Sequence, residues 1–255
     1  MKINLANIKK AKKLLYKREC IAIPTETVYG LAGNAYSDQA CQKIYKLKKR
    51  PKNNPLIVHY LNIQRLKKDC HLNNDFIKLY KKFCPGPLTF VLKKNKKTRI
   101  DSLATAKLNT VAIRFPKHKV VRKLLKLIDF PLAMPSANRS SYLSPINAND
   151  VYKEFKNKLN IIINGGKSKV GIESTVVDLT EKPRILRPGI ISYNEIKKFL
   201  KIELSEKKTK IRSPGMLKKH YSPGIPVVIG GKPRSKDHAY IFLEKNILKR
   251  VIILI

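Results

Sequence analysis

The chain has 255 residues, 43% of them hydrophobic, which is enough to bury a substantial core and excludes a disordered chain. Its formal net charge of +38 points first to polyanions such as RNA or nucleotides, yet lysines outnumber arginines 43 to 12 and are scattered, so a Lys-rich compositional bias accounts for much of the charge equally well. The four cysteines (Cys20, Cys41, Cys70, Cys84) form no CxxC pair and sit beside no His cluster of metal-ligand spacing, no apolar run reaches membrane-spanning length, and MKINLANIKKAKKLL lacks a cleavable apolar core, so the expectation is a cytoplasmic protein with buried thiols, no membrane contact and no metal held by the chain itself.

In chain order, Ile8, Ala11 and Leu15 fall at helical spacing, and the run Cys20–Pro24 reads as a buried strand ended by proline. Ser37 should cap a helix that turns Ala40, Ile44 and Leu47 inward, followed by a strand at Pro55–Tyr60. Further helices fit Asp75–Phe83, Val120–Ile128 and Asp150–Lys158. Strand candidates are Leu88–Leu92, Val111–Phe115, Leu132–Met134, Ile161–Ile163 and Thr175–Leu179. Strands alternating with helices imply an α/β domain with a mixed sheet over residues 1–202. Residues 203–226 lose periodicity and gain Pro, Gly and Lys, which reads as an extended linker. Within 227–255, PVVIGG and HAYIFLE look like two strands, too little chain for an independent domain.

The familiar phosphate loops fail. GGKSK at Gly165–Lys169 has Ile161 where a P-loop needs its first glycine, and GLAG at Gly30–Gly33 lacks the full dinucleotide pattern. HExxH, GxSxG and kinase patterns are absent. What the sequence offers is four dense polar clusters near strand ends, where open α/β sheets hold ligands. PTETVYG (Pro24–Gly30) presents two hydroxyls and a carboxylate, although an ordinary Thr-capped turn would look the same. Lys48 and Arg50 precede Pro51 at a helix end and suit a polyphosphate, with complementing the helix's own dipole as the plainer reading. Arg114 lies mid-strand in TVAIRFP and needs an anionic partner if buried, and MPSANRS supplies Ser136 and Asn138, with Ser144 continuing that rim. In the fourth cluster, Gly165 and Gly166 free the backbone, while Ser174–Thr175 enter a strand beside another strand arginine, Arg187.

PTETVYGL, the KxR of Lys48 and Arg50, NPLIVH, PGPLTFVL, TVAIR, PSAN, ESTVVDLT and LRPG occur in an order that resembles the YrdC-like threonylcarbamoyl-adenylate synthases, over roughly Ile21 to Gly189. SPGMLKKHYSP, Ser213–Pro223, is similar to the interdomain linker of the two-domain members. The resemblance implies a twisted α/β fold around a basic cavity that takes ATP, L-threonine and bicarbonate and releases threonylcarbamoyl-AMP and pyrophosphate, with Mg²⁺ accompanying ATP. It implies that Thr27, His59, Arg114, Met134 (through its backbone) and Ser174 hold threonine. Lys48, Arg50, Asn54, Thr110, Ser136, Asn138, Ser144 and Arg187 would hold ATP, Lys48 and Arg50 acting as the catalytic pair, and His220 and Tyr221 would close over the site.

Two departures stand out. The loop GLAGNAY places a glycine one residue later than many relatives, and long members carry a whole second α/β domain, against which 227–255 reads as a shortened remnant. The implied downstream partner is a threonylcarbamoyl transferase that modifies a tRNA adenosine. Two rival readings remain at this stage: an RNA-binding module that grips tRNA or double-stranded RNA without chemistry, and a carbamoyl-transfer domain like that of hydrogenase maturation proteins. The missing zinc cysteines weigh against the second.

Overall fold

The computed structural model describes residues 4–204 and 213–214, together with the backbone of 227–229, 238–242 and 250–254. The helices of the main body are α1 (Leu5–Tyr16), α2 (Asp38–Lys48), α3 (Ile63–Leu66), α4 (Asn74–Phe83), α5 (Lys119–Leu127), α6 (Ala148–Phe155) and α7 (Tyr193–Lys197). Its strands are β1 (Ile21–Ile23), β2 (Gly30–Asn34), β3 (Ile57–His59), β4 (Leu88–Lys93), β5 (Thr110–Arg114), β6 (Leu132–Ala133), β7 (Thr175–Asp178), β8 (Arg184–Arg187) and β9 (Glu203–Leu204).

Local chemistry sets the helix starts. Asn4, Asn73 and Asn147 cap α1, α4 and α6 with side-chain oxygens, Ser37 accepts from the Ala40 N–H as expected, and Ser192 and Glu195 close a reciprocal capping box on α7. Each such cap contributes about 1 kcal/mol. α2 stops at Lys48 because Lys49 turns left-handed (φ 48°) before Pro51, so the KxR segment leaves the helix at once.

The nine strands form one mixed sheet in the order β1-β2-β6-β3-β5-β4-β7-β8-β9. β3–β5, β4–β7 and β8–β9 are parallel and the remaining neighbours antiparallel. The pleat sorts side chains by a period of two. On one face Leu31, Val58, Phe90, Ile113 and Val177 join the large core with Ile44, Phe76 and Phe115. At the β1 edge, Ile21, Ile23, Ala32 and Leu132 face the other way and pack under α1 and α5 through Ile8, Leu15, Val121 and Leu124.

In the middle of the sheet that second face carries only a small apolar strip, Ile57, Val91, Ala112 and Val176. Around the strip the same alternation places His59 beside Ile57, Thr89 beside Val91, Thr110 and Arg114 on either side of Ala112, and Ser174 before Val176. The register makes them neighbours: His59 and Thr89 both lie opposite Arg114, and Arg187 lies opposite Val176.

Four expectations need correction. GLAGN is strand β2, not a loop. Its glycines are set by packing, since a Cβ on Gly30 would lie 2.4 Å from the Met134 side chain and one on Gly33 would press on Ala40 and Ile44 of α2. Ile161–Ile163 is no strand: it makes one isolated parallel bridge, Ile162 to Ala22, before the chain turns at Gly166 (φ 83°). Glu203–Leu204, assigned to the linker from sequence, adds edge strand β9. α3 and α7 were not anticipated. A second unit, residues 141–143 and 221–255, contains β10 (Val227–Ile229), β11 (His238–Phe242) and β12 (Arg250–Leu254) in a three-stranded antiparallel sheet, where two strands were expected.

Gly189 marks how tightly the site strand is packed, because a Cβ there would lie 2.4 Å from the Thr175 nitrogen and 2.7 Å from the Ser174 carbonyl carbon, both backbone. Gly189→Ala should lower stability by about 1–3 kcal/mol in urea unfolding; an unchanged midpoint would show that the β7–β8 region yields freely.

Candidate functional site

The polar face of the central strands is joined by three loops that return to it. The β1–β2 loop brings Thr25, Glu26 and Thr27, anchored by N–H groups of Val170 and Gly171 donating to the carbonyls of Glu26 and Thr27. The loop after β6 (Met134–Ser140) is stitched to Tyr29 and Leu31 through Ala137 and Pro135. The segment before β7 brings Glu173 and Ser174.

Arg114 is the centre of the first group and is buried. Its guanidinium donates to Glu26 Oε1 (2.6 Å), Thr27 Oγ1 (2.8 Å) and the Gly86 carbonyl (3.3 Å). Glu26 Oε2 in turn accepts the backbone N–H groups of Lys117 and His118. Burial alone would raise the Glu26 carboxyl, but Arg114 and these donors hold it below the usual carboxylate range. Buried His59, opposite Arg114, donates from Nδ1 to the Ile57 carbonyl (3.2 Å). Burial first, and Arg114 second, lower its pKa to about 3, so the imidazole is neutral at neutral pH.

Arg187 is the centre of the second group. It donates to the Ser174 carbonyl (2.8 and 3.1 Å) and hydroxyl (3.2 Å), and Ser174 Oγ lies 2.7 Å from Thr89 Oγ1. Ser144 donates to Glu173 Oε1 at 2.5 Å.

At the end of α2, Arg50 reaches the Asn54 carbonyl (2.9 Å), Asn54 Oδ1 (2.5 Å) and the Pro55 carbonyl (2.7 Å). Lys48 is fully buried and its ammonium donates to the carbonyls of Ser136 (2.5 Å) and Asn138. Its own carbonyl accepts the Ser140 N–H, so Lys48 binds the PSAN loop from both sides.

These cations act on one another. Burial lowers Lys48 well below the ordinary lysine range, and Arg50 adds to the shift. Burial also lowers Arg50 to about 10, opposed by Tyr45 and reinforced by Arg187, and lowers Arg187 to about 10, opposed by Glu173 and reinforced by Arg114. Both arginines remain charged at neutral pH. Lys48, Arg50, Arg187 and Arg114 are therefore linked in series by electrostatic repulsion, with Glu26, Glu154 and Glu173 as the carboxylates acting on them.

Of the residues expected from sequence, Thr27, His59, Arg114, Ser174 and Arg187 are brought onto this face or directly against it, and Thr110 shares it through the pleat. Asn54 is held by Arg50, Ser136 and Asn138 by Lys48, and Ser144 by Glu173. Met134 is buried with its N–H on the Ile57 carbonyl. His220 and Tyr221 lie outside the described residues. Sequence reasoning noted Glu26 only as the carboxylate of its loop and gave no role to Thr89 or Glu173, although these lie inside motifs it singled out, PGPLTFVL and ESTVVDLT. No group of three His, Cys, Asp or Glu able to hold a metal occurs among the described residues.

Residues 13–189 match the Sua5/YciO/YrdC family model, described as "Telomere recombination", and residues 191–255 match the model described as "Threonylcarbamoyl-AMP synthase, C-terminal domain". Threonylcarbamoyl-AMP synthase of Pyrococcus abyssi is 38% identical over 237 residues, 90% of this chain and 69% of that protein. The Bacillus subtilis synthase is 39% identical over 243 residues, 92% and 70% respectively. The crystal structure of P. abyssi Sua5 complexed with L-threonine is similar at a TM-score of 0.83 and 38% identity, over 88% of this chain and 67% of that one. The chain thus spans about two thirds of the length of these relatives.

A neutral buried histidine leaves a mark on stability. The unfolded chain takes up a proton on this group near pH 6.5 and the folded chain only near 3, so the unfolded state binds more protons between those values and stability falls as pH drops through them. His59→Gln should flatten the decline between pH 6.5 and 3 in urea titrations. An identical slope in the variant would place the imidazole in water.

Proposed function

The chain belongs to the Sua5/YciO/YrdC family of threonylcarbamoyl-AMP synthases, and from that premise we propose that it joins L-threonine, bicarbonate and ATP into threonylcarbamoyl-AMP and pyrophosphate. The observation that carries the reading is the pair of arginines on the polar face, Arg114 and Arg187, coupled electrostatically to Arg50 and Lys48 at the end of α2 among hydroxyls and backbone carbonyls. Such a group is stabilised by a polyanion and has little use for an uncharged ligand.

In this reading the substrate carboxylate takes the donor edges that Arg114 does not spend on Glu26, Thr27 and Gly86, with Thr27 and Ser174 beside it. The triphosphate runs toward Arg187 and Arg50, while Lys48 holds the PSAN loop that carries Ser136 and Asn138. The threonine amine, once neutral, captures carbon dioxide derived from bicarbonate to give a carbamate. A carbamate oxygen then attacks the α-phosphorus of ATP, the bond to the bridging oxygen breaks, and pyrophosphate leaves. No side-chain nucleophile is required; the residues align two anions and offset their charge. Mg²⁺ bound with ATP would neutralise phosphate oxygens. Choosing threonine over serine rests on one methyl group, about 1–3 kcal/mol.

The product passes to a separate threonylcarbamoyl transferase acting on tRNA, and the net charge of +38 supports weak contacts to that RNA. Four free cysteines whose thiols burial pushes up to about 12 or above support a cytoplasmic setting. No helix among the described residues is long and apolar enough to cross a membrane.

Incubating the full chain with ATP, bicarbonate and each amino acid in turn, with mass spectrometry of adenylate and pyrophosphate, should give release with threonine alone. Release that ignores threonine contradicts the reading. Arg50→Ala should abolish the signal, and Arg114→Ala should raise the KM for threonine roughly 10- to 100-fold, the loss of a charge-assisted bond of about 1.5–3 kcal/mol. A change in kcat alone would remove Arg114 from the carboxylate.

A further inference from the structure

The two carboxylates in the cationic face differ in what they have left to give. Glu26 is spent: one oxygen takes Arg114 and the other takes two backbone N–H groups. Glu173 is not. Its Oε1 accepts the Ser144 hydroxyl at 2.5 Å, while Oε2 is buried and has no hydrogen-bond partner among the described residues. A buried carboxylate oxygen without a donor costs about 1–3 kcal/mol or more, so its persistence calls for a cation that comes and goes.

The neighbours indicate which cation. Glu173 acts electrostatically on Lys48 and Arg187, and its hydrogen-bonded partner is Ser144. All three belong to the triphosphate side of the site, and Arg114 with its carboxylate-binding group is not among its direct partners. A hard oxygen donor next to polyphosphate, in a chain with no three-residue metal cage among its described residues, matches the way Mg²⁺ is held, by one or two carboxylates plus substrate phosphates.

Resting on the nucleotide-binding reading above, we propose that Glu173 is the chain's own ligand to the divalent cation that accompanies ATP, presenting Oε2 while Ser144 fixes Oε1. The carboxylate would then hold the metal on the phosphates, instead of serving only as a counter-charge to Lys48 and Arg187.

The test uses the full chain, Mn²⁺ as the metal and α,β-methylene-ATP as the nucleotide, with free Mn²⁺ followed by electron paramagnetic resonance and metal-free nucleotide binding measured by calorimetry in EDTA. Glu173→Gln should weaken Mn²⁺ binding to the nucleotide complex by about tenfold or more. The same variant should bind the metal-free nucleotide at least as tightly as the wild type, since a negative charge beside the phosphates is gone. That retained binding also reports an intact site. Glu173→Asp, which keeps the charge, should recover part of the Mn²⁺ affinity. Unchanged Mn²⁺ affinity in Glu173→Gln, or equal weakening with and without metal, would overturn the assignment while leaving the nucleotide site in place. A wild-type chain that binds no nucleotide at all would instead overturn the reading on which it rests.

Discussion

The buried pair of Arg114 and Glu26 is the interaction on which the rest of the site depends. It joins the middle strand of the sheet to the β1–β2 loop and, through Lys117 and His118, to the start of α5. A guanidinium at 4% exposure cannot be left alone; removing one partner of such a pair costs about 3–5 kcal/mol, because the other charge stays buried. Glu26 therefore fixes where Arg114 points before any ligand arrives. The arginine in turn acts on its neighbours, adding to the burial that keeps His59 neutral and to the depression of Arg187.

From this anchor the site extends along one face of the sheet by pleat geometry alone. Thr110, Ala112 and Arg114 alternate with Val111 and Ile113, so the same strand that builds the large core with one set of residues lines the polar face with the other. Bringing Arg114 and Arg187 to that face, with Lys48 and Arg50 coupled to them from the end of α2, opposes folding, and backbone carbonyls offset it: those of Ser136 and Asn138 for Lys48, Asn54 and Pro55 for Arg50, Gly86 for Arg114, Ser174 for Arg187. Donors held by fixed carbonyls need not reorganise when an anion binds, which is the physical basis of electrostatic preorganisation.

The elements were legible where one period dominated. α2, α4 and α5 show apolar residues at helical spacing and begin at Ser37, Asn73 and His118, and the strands around Phe90 and Ile113 alternate or run apolar. GLAGN failed because its two glycines read as a loop, whereas they admit Met134 and α2 against the strand. Ile161–Ile163 failed the other way, an apolar run with only a single bridge to hold it. The polar clusters could be picked out by composition, but their pairings could not. Thr89 meets Ser174 across 85 positions, and Arg114 meets Glu26 across 88, and nothing local to either residue encodes the partner. For the same reason nothing near Lys48 in the sequence announces that its ammonium reaches the carbonyls of a loop 88 and 90 residues away.

The central claim is that these distant residues make one hollow for a small zwitterion beside a triphosphate. A crystal structure of the full chain with L-threonine and α,β-methylene-ATP bound together tests it most directly. The account predicts the threonine carboxylate within hydrogen-bond distance of Arg114 and the phosphates within reach of both Arg50 and Arg187. Nucleotide bound on another surface, or threonine bound away from Arg114, would contradict it.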